Sequence, residues 1–287
     1  MKNLIYISVF CQQSYIKLLD LLLVSLSAFG KFDPDTTDIL ILTSPSFTED
    51  IKKVSGQFPI KFFYLDINGI FEAACSRLHI FKYPQLSNYD KILYIDTDII
   101  VANPINNILD LEIDDDKIYC TEEGTIYQEY YGGKFYANRT LDENTGAFSS
   151  GIIFFKNSEI IKALFSDILN HIYEDTVVNR NPPACCLDQS YIVYNSVIQN
   201  KYNNQLLIPY FGGNPRISYV KPPKLVYRVP ASTPEDPIYR PVPSDNLFSP
   251  KINPKEGAVL YHFLGSLGNA HAKFERMVAF LNALGPE

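Results

Sequence analysis

The run Lys91-Ile92-Leu93-Tyr94-Ile95-Asp96-Thr97-Asp98-Ile99-Ile100-Val101 constrains this chain more than any other stretch. Its apolar members are β-branched or aromatic and suit a sheet interior. Two carboxylates, one residue apart, interrupt it, and a buried carboxylate is costly unless paired or metal-bound. Residues at i and i+2 of an extended chain point to the same side, so Asp96 and Asp98 could share one hard cation. Mg²⁺ and Mn²⁺ take oxygen ligands and keep positions for substrate phosphates. The competing reading is an Asp-rich turn after a core strand. The metal reading therefore needs partners from elsewhere in the chain.

The segments before this run alternate between strand and helix character. Leu4 to Phe10 is a short apolar strand, and Tyr15 to Phe29 has helical spacing that stops at Gly30. Strands are expected over Asp38 to Thr43 and Ile60 to Ile67, with helices over Thr48 to Val54 and Phe71 to Phe81, and then the strand Lys91 to Ile95. Strands separated by helices predict an α/β fold: a mostly parallel central sheet, Rossmann-like, with helices on both faces. Ligands of such sheets sit beyond the carboxyl ends of the strands, where Asp96 and Asp98 fall. No Gly-x-Gly-x-x-Gly follows the first strand and no Gly-x-x-x-x-Gly-Lys-Ser/Thr occurs, so bound phosphates would rely on a metal rather than a glycine-rich nest.

From Asp110 to Asn144 the chain is polar and rich in Tyr and Gly, and reads as long loops and short elements near the active face. Strand character returns at Phe148 to Phe155. A helix is expected over Ser158 to Ile172, with Ser158 as its cap, and another over Asp188 to Ile198. Ten of the forty residues from Pro215 to Pro254 are proline, which excludes regular structure over most of that span. Ala258 to Leu264 reads as a strand containing His262, and His271 to Leu284 as a helix.

With 287 residues and 46% apolar content, the chain can bury a large core. The expected organisation is one domain over 1–287, with a first half to about residue 101 and a second from about 102 to 275. A net charge of −7 without any basic block argues against nucleic acid as a partner. The five cysteines, Cys11, Cys75, Cys120, Cys185 and Cys186, are too few and scattered for a disulfide framework. The apolar stretch Leu18 to Phe29 is too short to span a bilayer and contains Asp20. A soluble, cytoplasmic or otherwise intracellular protein without an integral membrane segment is expected, and a homodimer stays open.

Four polar features stand at the ends of apolar elements: Asp96/Asp98, Ser149-Ser150-Gly151, Asp188-Gln189, and His262 followed by Gly265 and Gly268. Two aspartates and an imidazole make a first shell for Mn²⁺. In this order, with Arg77 in Ala74-Cys75-Ser76-Arg77-Leu78 upstream and Tyr261-His262-Phe263-Leu264-Gly265 near the end, the set resembles the retaining nucleotide-sugar glycosyltransferases of family 8. That family includes glycogenin, galactinol synthase and bacterial lipopolysaccharide galactosyltransferases, and the resemblance covers roughly residues 3 to 275.

The resemblance implies a GT-A fold and a UDP-sugar donor bound with Mn²⁺ or Mg²⁺. It implies that Asp96, Asp98 and His262 hold the metal, with Asp96 also near the ribose and Thr97 between them. Val9 and Phe10 would pack near the uracil. Arg77, Ser149, Ser150 and Gly151 would line the donor. Asp188 would hold the sugar's hydroxyls, and Gln189 would sit beneath its anomeric carbon. Two positions depart from the family pattern. Ser149 stands where the family has Asn, and Gly268 stands where a lysine reaches the diphosphate three residues after the position of Gly265. Lys273, with His271 nearby, is the next basic residue able to take that place.

The resulting expectation is a metal-dependent retaining transfer of a hexose, glucose or galactose, from UDP to an unknown hydroxyl acceptor, be it glycan, protein or small molecule. The alternatives are a metal-dependent phosphohydrolase or nucleotidyltransferase built on the same aspartates, and a catalytically weak carbohydrate-binding protein.

Overall fold

Branched and aromatic strands alternate with apolar helices along the chain, and the resulting sheet is covered on both sides. The computed structural model describes residues 2–56, 58–215, 255–264 and 270–284. In chain order the first elements are β1 (Lys2–Val9), α1 (Ser14–Ala28), β2 (Thr37–Thr43), α2 (Thr48–Ser55), β3 (Ile60–Tyr64) and α3 (Ile70–Cys75). They are followed by β4 (Tyr89–Ile95), β5 (Ile99–Val101), a short α4 (Asn106–Leu109), β6 (Ile118–Thr125), β7 (Gly146–Lys156) and α5 (Glu159–Tyr173). The last are α6 (Gln189–Ile198), β8 (Tyr202–Asn203), β9 (Leu260–His262) and α7 (Ala270–Leu284).

The main sheet has the order β3-β2-β1-β4-β7-β6-β8, and β5 pairs separately with β9. Strands β3, β2, β1 and β4 run parallel, β7 is antiparallel to both β4 and β6, and β8 is parallel to β6. This is the expected mostly parallel α/β sheet. On one face Leu4 and Tyr6 of β1 join Leu40, Ile92 and Tyr94 against α5 and α6 through Leu164, Phe165 and Ile192. On the other, Ile5, Ile7 and Val9 join Ile39, Ile41 and Leu93 against Leu19, Leu22 and Leu26 of α1. Two buried faces explain why the central strands read as continuous apolar runs.

Helix α1 is apolar on its far side too. Leu18 and Leu21 pack against Met277, Val278, Phe280 and Leu281 of α7, so α1 is an internal layer, as expected of a helix that is hydrophobic all round. Among the described residues no helix is long and apolar enough to cross a membrane.

Three expectations need correction. The helix expected over Phe71 to Phe81 ends at Cys75, and Ser76–Lys82 continues as 3₁₀ turns. There the Ser76 hydroxyl donates to Ala73 O at 2.6 Å and Arg77 Nε to Ala74 O at 3.1 Å, side-chain bonds to i−3 carbonyls that compete with regular helix. The stretch Asp110 to Asn144, expected as long loops and short elements, contains the 8-residue strand β6, Ile118–Thr125, which joins the main sheet beside β7. Finally, Lys91–Val101 is not one strand. Strand β4 stops at Ile95, residues 96–98 turn, and β5 resumes in the second sheet. Asp96 and Asp98 are therefore brought together by a turn, not by the two-residue period of an extended chain. Residues 216–254 of the proline-rich span, together with Gly265 and Gly268, lie outside the described residues.

Candidate active site

The site begins where β4 and β7 separate. Past the pair Ile95↔Ile152, Asp96 N donates to Gly151 O at 2.9 Å, adding one more rung. Thr97 is buried in the turn that follows. Strand β5 then pairs antiparallel with β9, Ile99 opposite His262, and Phe263 N donates to Asp98 O at 2.9 Å. The Ser25 hydroxyl pins this ribbon to α1 by accepting from Val101 N at 2.9 Å. These pairings carry His262 to Asp98, with Nε2 3.2 Å from Asp98 Oδ1.

One donor atom from each of Asp96, Asp98 and His262 lies within 4.8 Å of the others. Asp98 Oδ1 is buried, and among the described residues it makes no hydrogen bond beyond this approach of His262 Nε2. Gly151 faces the same point: a Cβ on it would stand 2.5 Å from His262 Cε1, 2.9 Å from Asp96 Oδ2 and 3.0 Å from His262 Nε2. A glycine here keeps open the space on which the three side chains converge. Two adjacent ligands about 2.1 Å from an octahedral cation are about 3 Å apart, which the approach of His262 Nε2 to Asp98 Oδ1 matches, and oxygen and imidazole donors are types that Mg²⁺ or Mn²⁺ accept.

The charged groups of the site compensate one another. Burial pushes the Asp98 carboxyl up, but His262 and Lys273 outweigh it and hold the group well below the usual carboxylate range. Burial likewise pushes His262 down, and Asp98 outweighs that to leave its pKa raised. Lys273, carried by α7, reaches Asp98 Oδ2 at 2.5 Å. The side chain of His271 lies outside the described residues.

A second group surrounds Arg77. Its guanidinium is buried over the Tyr94 ring, 4.4 Å from the centroid. Nη1 donates to Ser150 O at 2.6 Å and lies 3.3 Å from Asp96 Oδ1, while Nε lies 3.0 Å from Asp188 Oδ2. Burial opposes the charge on Arg77, but Asp188 and Asp96 outweigh it and keep the group protonated. Burial pushes the Asp188 carboxyl up to about 6, with Arg77 pulling the other way.

Asp188 and Gln189 are delivered by a strained bend. Cys186 and Leu187 both have positive φ, 58° and 59°, a conformation that costs a non-glycine residue of order 1 kcal/mol or more and concentrates at functional sites. Gln189 is tied at both ends, accepting from Ser150 N at 3.0 Å and donating to Tyr130 O at 3.2 Å. The tyrosine- and glycine-rich loop can lie on α6 because Gly132, at φ +88°, has no Cβ; one would come within 2.7 Å of Ser190 O.

Other expected residues are placed less directly. The Ser149 hydroxyl accepts from Gly151 N at 3.3 Å. Val9 ends β1 and Phe10 follows it, both with buried side chains, and the next residue, Cys11, is exposed. Two participants carried no expectation of their own. Tyr94 donates to Asp96 Oδ1 at 2.5 Å, and Tyr6 donates to Arg77 O at 3.1 Å. The signal for Tyr94 was its place two residues before Asp96.

Among solved structures the chain is similar to galactosyltransferase LgtC, solved with donor and acceptor sugar analogues, at 14% identity and TM-score 0.56 over 96% of this chain and 95% of that one. It is similar to mouse xyloside xylosyltransferase 1 at 11% identity and TM-score 0.54, over 74% of this chain and 88% of that one. The bifunctional glycosyltransferase WbbM matches at 18% identity and TM-score 0.53 over 74% of this chain, which spans only 40% of WbbM. At these identities the likeness speaks for the fold alone. Among curated proteins none matches the chain in sequence. The sequence model of glycosyl transferase family 8 matches residues 15–208, more than half of the chain and most of the elements that build the site. This chain belongs to glycosyl transferase family 8.

Proposed function

We propose that this glycosyltransferase moves a hexose, glucose or galactose, from a UDP-sugar to a hydroxyl acceptor with retention of anomeric configuration, using a divalent metal at Asp96, Asp98 and His262. The observation that carries the reading is the convergence of those three side chains on the open space beside Gly151, one residue from Ser150, where Arg77 and Gln189 are anchored. A divalent cation held there would supply charge neutralisation at the leaving diphosphate.

The remaining chemistry falls to the protein's own groups. The bond from the anomeric carbon to the diphosphate oxygen breaks as the acceptor oxygen bonds to that carbon on the same face. The acceptor's proton passes to the departing phosphate oxygen. Arg77, buried and permanently charged, offers preorganised positive charge beside the donor. Gln189 is a poor nucleophile, and its two hydrogen bonds hold it as a positioned amide beneath the sugar. Asp188 accepts from the sugar's hydroxyls. Its ion pair with Arg77 favours this role over attack on the anomeric carbon, so the front-face route is preferred to double displacement.

The test is UDP release from a panel of UDP-sugars with Mn²⁺, with chelator, and with Asp98→Asn. Slow hydrolysis of one donor, abolished by chelation and by the substitution, is the expected result. Calorimetry showing no metal-dependent binding of UDP would overturn the reading.

A further inference from the structure

Two adjacent cysteines sit in the bend that delivers Asp188 and Gln189, and the function proposed above uses neither. Leu187 N donates to Ala184 O at 3.0 Å, closing a tight turn with Cys185 and Cys186 at its two central positions. Cys186 has φ 58° and Leu187 φ 59°, a backbone region where turns favour glycine. Cys186 is exposed and Cys185 half-buried, and their thiols are close enough to share a hydrogen bond. The same two residues hold the start of α6. Cys185 O accepts from the Ser190 hydroxyl at 2.6 Å, and Cys186 O accepts from Gln189 N at 3.2 Å.

We propose that Cys185 and Cys186 form a reversible disulfide with each other under hydroperoxide, and that this bond is a redox switch on the placement of Asp188 and Gln189. Its effect on sugar transfer rests on the function proposed above; its formation and its effect on the bend do not. The more exposed Cys186 sulfur attacks one peroxide oxygen, the O–O bond breaks, and Cys186 becomes a sulfenic acid. The Cys185 sulfur then attacks that sulfur, breaking its bond to oxygen and forming the S–S bond. At each step the displaced hydroxide takes one thiol proton and leaves as water. Two electrons pass from the sulfurs to the peroxide, and an added dithiol reverses the oxidation by thiol–disulfide exchange.

Chain geometry makes such a bond a switch rather than a staple. Consecutive Cα atoms across a trans peptide are about 3.8 Å apart, short of the about 4.4–6.8 Å usual for a disulfide, so the bond is strained and readily reduced. The ring it closes contains the N–Cα bond of Cys186, whose torsion is already left-handed. Drawing the sulfurs from hydrogen-bond contact to a covalent bond therefore acts directly on that torsion and shifts the carbonyls of Cys185 and Cys186. Asp188 and Gln189 follow them. Asp188 Oδ2 is 3.0 Å from Arg77 Nε, and Gln189 is held between Ser150 N and Tyr130 O, so both have little room to move without losing a partner. Partial burial, then the Cys185 thiol and the carboxylates of Glu123 and Asp188, push the Cys186 thiol up to about 11. Little of it is thiolate at neutral pH, so the pair answers to a sustained peroxide load and not to trace oxidant.

The experiment treats the full chain with hydrogen peroxide and then with dithiothreitol, beside Cys185→Ser, which cannot form the bond. Peptide mass spectrometry after alkylation of free thiols reads the bond, and amide hydrogen exchange reads the bend. UDP release from the panel of UDP-sugars with Mn²⁺ reads the site. After peroxide the peptide carrying Cys185 and Cys186 is expected to be lighter by two hydrogen atoms and to escape alkylation. The amides of Leu187 and Gln189 are expected to exchange faster, and UDP release to fall by about tenfold or more. Dithiothreitol restores all three, and Cys185→Ser shows none of them. Two alkylated thiols after peroxide, or sulfinic acids in place of the bond, overturn the inference. So does a bond that leaves exchange at the bend unchanged, or one that leaves an active enzyme's UDP release unchanged. An equal loss in Cys185→Ser also overturns it, since the oxidation would then act at another residue such as the exposed Cys11. A reduced wild type that neither releases UDP from any donor nor binds it overturns the proposed function, and the mass and exchange readouts still decide the switch. Cys186→Ser replaces Cys185→Ser as the control if thermal melts show the latter to be unfolded.

Discussion

Arg77 is the residue on which the two halves of the site depend. One buried guanidinium lies against Asp96 on one side and Asp188 on the other, and it holds Ser150 O as well. Breaking a buried pair leaves uncompensated charge and costs about 3–5 kcal/mol. Arg77→Met is therefore expected to lower stability by about that amount in denaturant titration. Arg77→Lys is expected to recover only part of the loss, since an ammonium cannot reproduce a planar fork with fixed directions. Equal stability of Arg77→Lys and wild type would show the pairing geometry to be unimportant. At this scale the sequence was informative about identity and silent about geometry. Asp96, Asp98, His262 and the pair Asp188-Gln189 stood out as polar groups at the ends of apolar elements, while Arg77 and the individual roles came with the family resemblance. Tyr94 and Tyr6 did not stand out, because a tyrosine in a strand reads equally well as core.

Elements decide how these residues meet. Antiparallel strand β7 lies between β4 and β6, and its Gly151 is placed opposite Asp96. Any side chain there would enter the space shared by the three donors. Gly151→Ala is expected to fold, to melt somewhat lower, and to lose Mn²⁺ binding by about 100-fold or more, since a Cβ 2.5 Å from the His262 ring must displace a ligand. Calorimetry with Mn²⁺ checks it, and retained affinity would place the cation elsewhere. Central strands and α1 were legible from their apolar runs, because burial on both faces leaves little else to choose. Two features were not. The end of β4 at Ile95 was legible, but the turn over 96–98 and the resumption as β5 in a second sheet were not, because the run is apolar on both sides of Asp96 and Asp98. The 3₁₀ segment after Cys75 depends on Ser76 and Arg77 bonding back to carbonyls, which helical spacing does not reveal.

For the whole molecule, stability carries a pH dependence from the middle of α1. Asp20 is 2% exposed, its Oδ1 has no partner among the described residues, and burial pushes its carboxyl up to about 7. A folded-state pKa above the unfolded value means that the folded chain holds the proton more tightly. Its contribution is fully favourable below about pH 4 and is lost as the pH rises through about 7. Asp20→Asn is expected to be more stable than wild type at about pH 8, with the advantage shrinking by about 2–3 kcal/mol toward pH 5. Denaturant midpoints across that range check it, and a pH-independent difference would mean that Asp20 stays ionised with a partner. The carboxylate was visible in the sequence as a charge inside an apolar stretch. That both faces of α1 are covered, by the sheet and by α7, was not.

The sequence by itself determined the α/β class, the order of most strands and helices, and the residue types of the site, because those follow from local period and from the cost of burying charge. Tertiary structure alone decided that β7 runs antiparallel beside β4, that the β5 and β9 ribbon brings His262 to Asp98, and that Lys273 of α7 closes on the same carboxylate. Those contacts join residues far apart in the chain. They are selected by packing of whole layers against one another, and no local pattern carries that information.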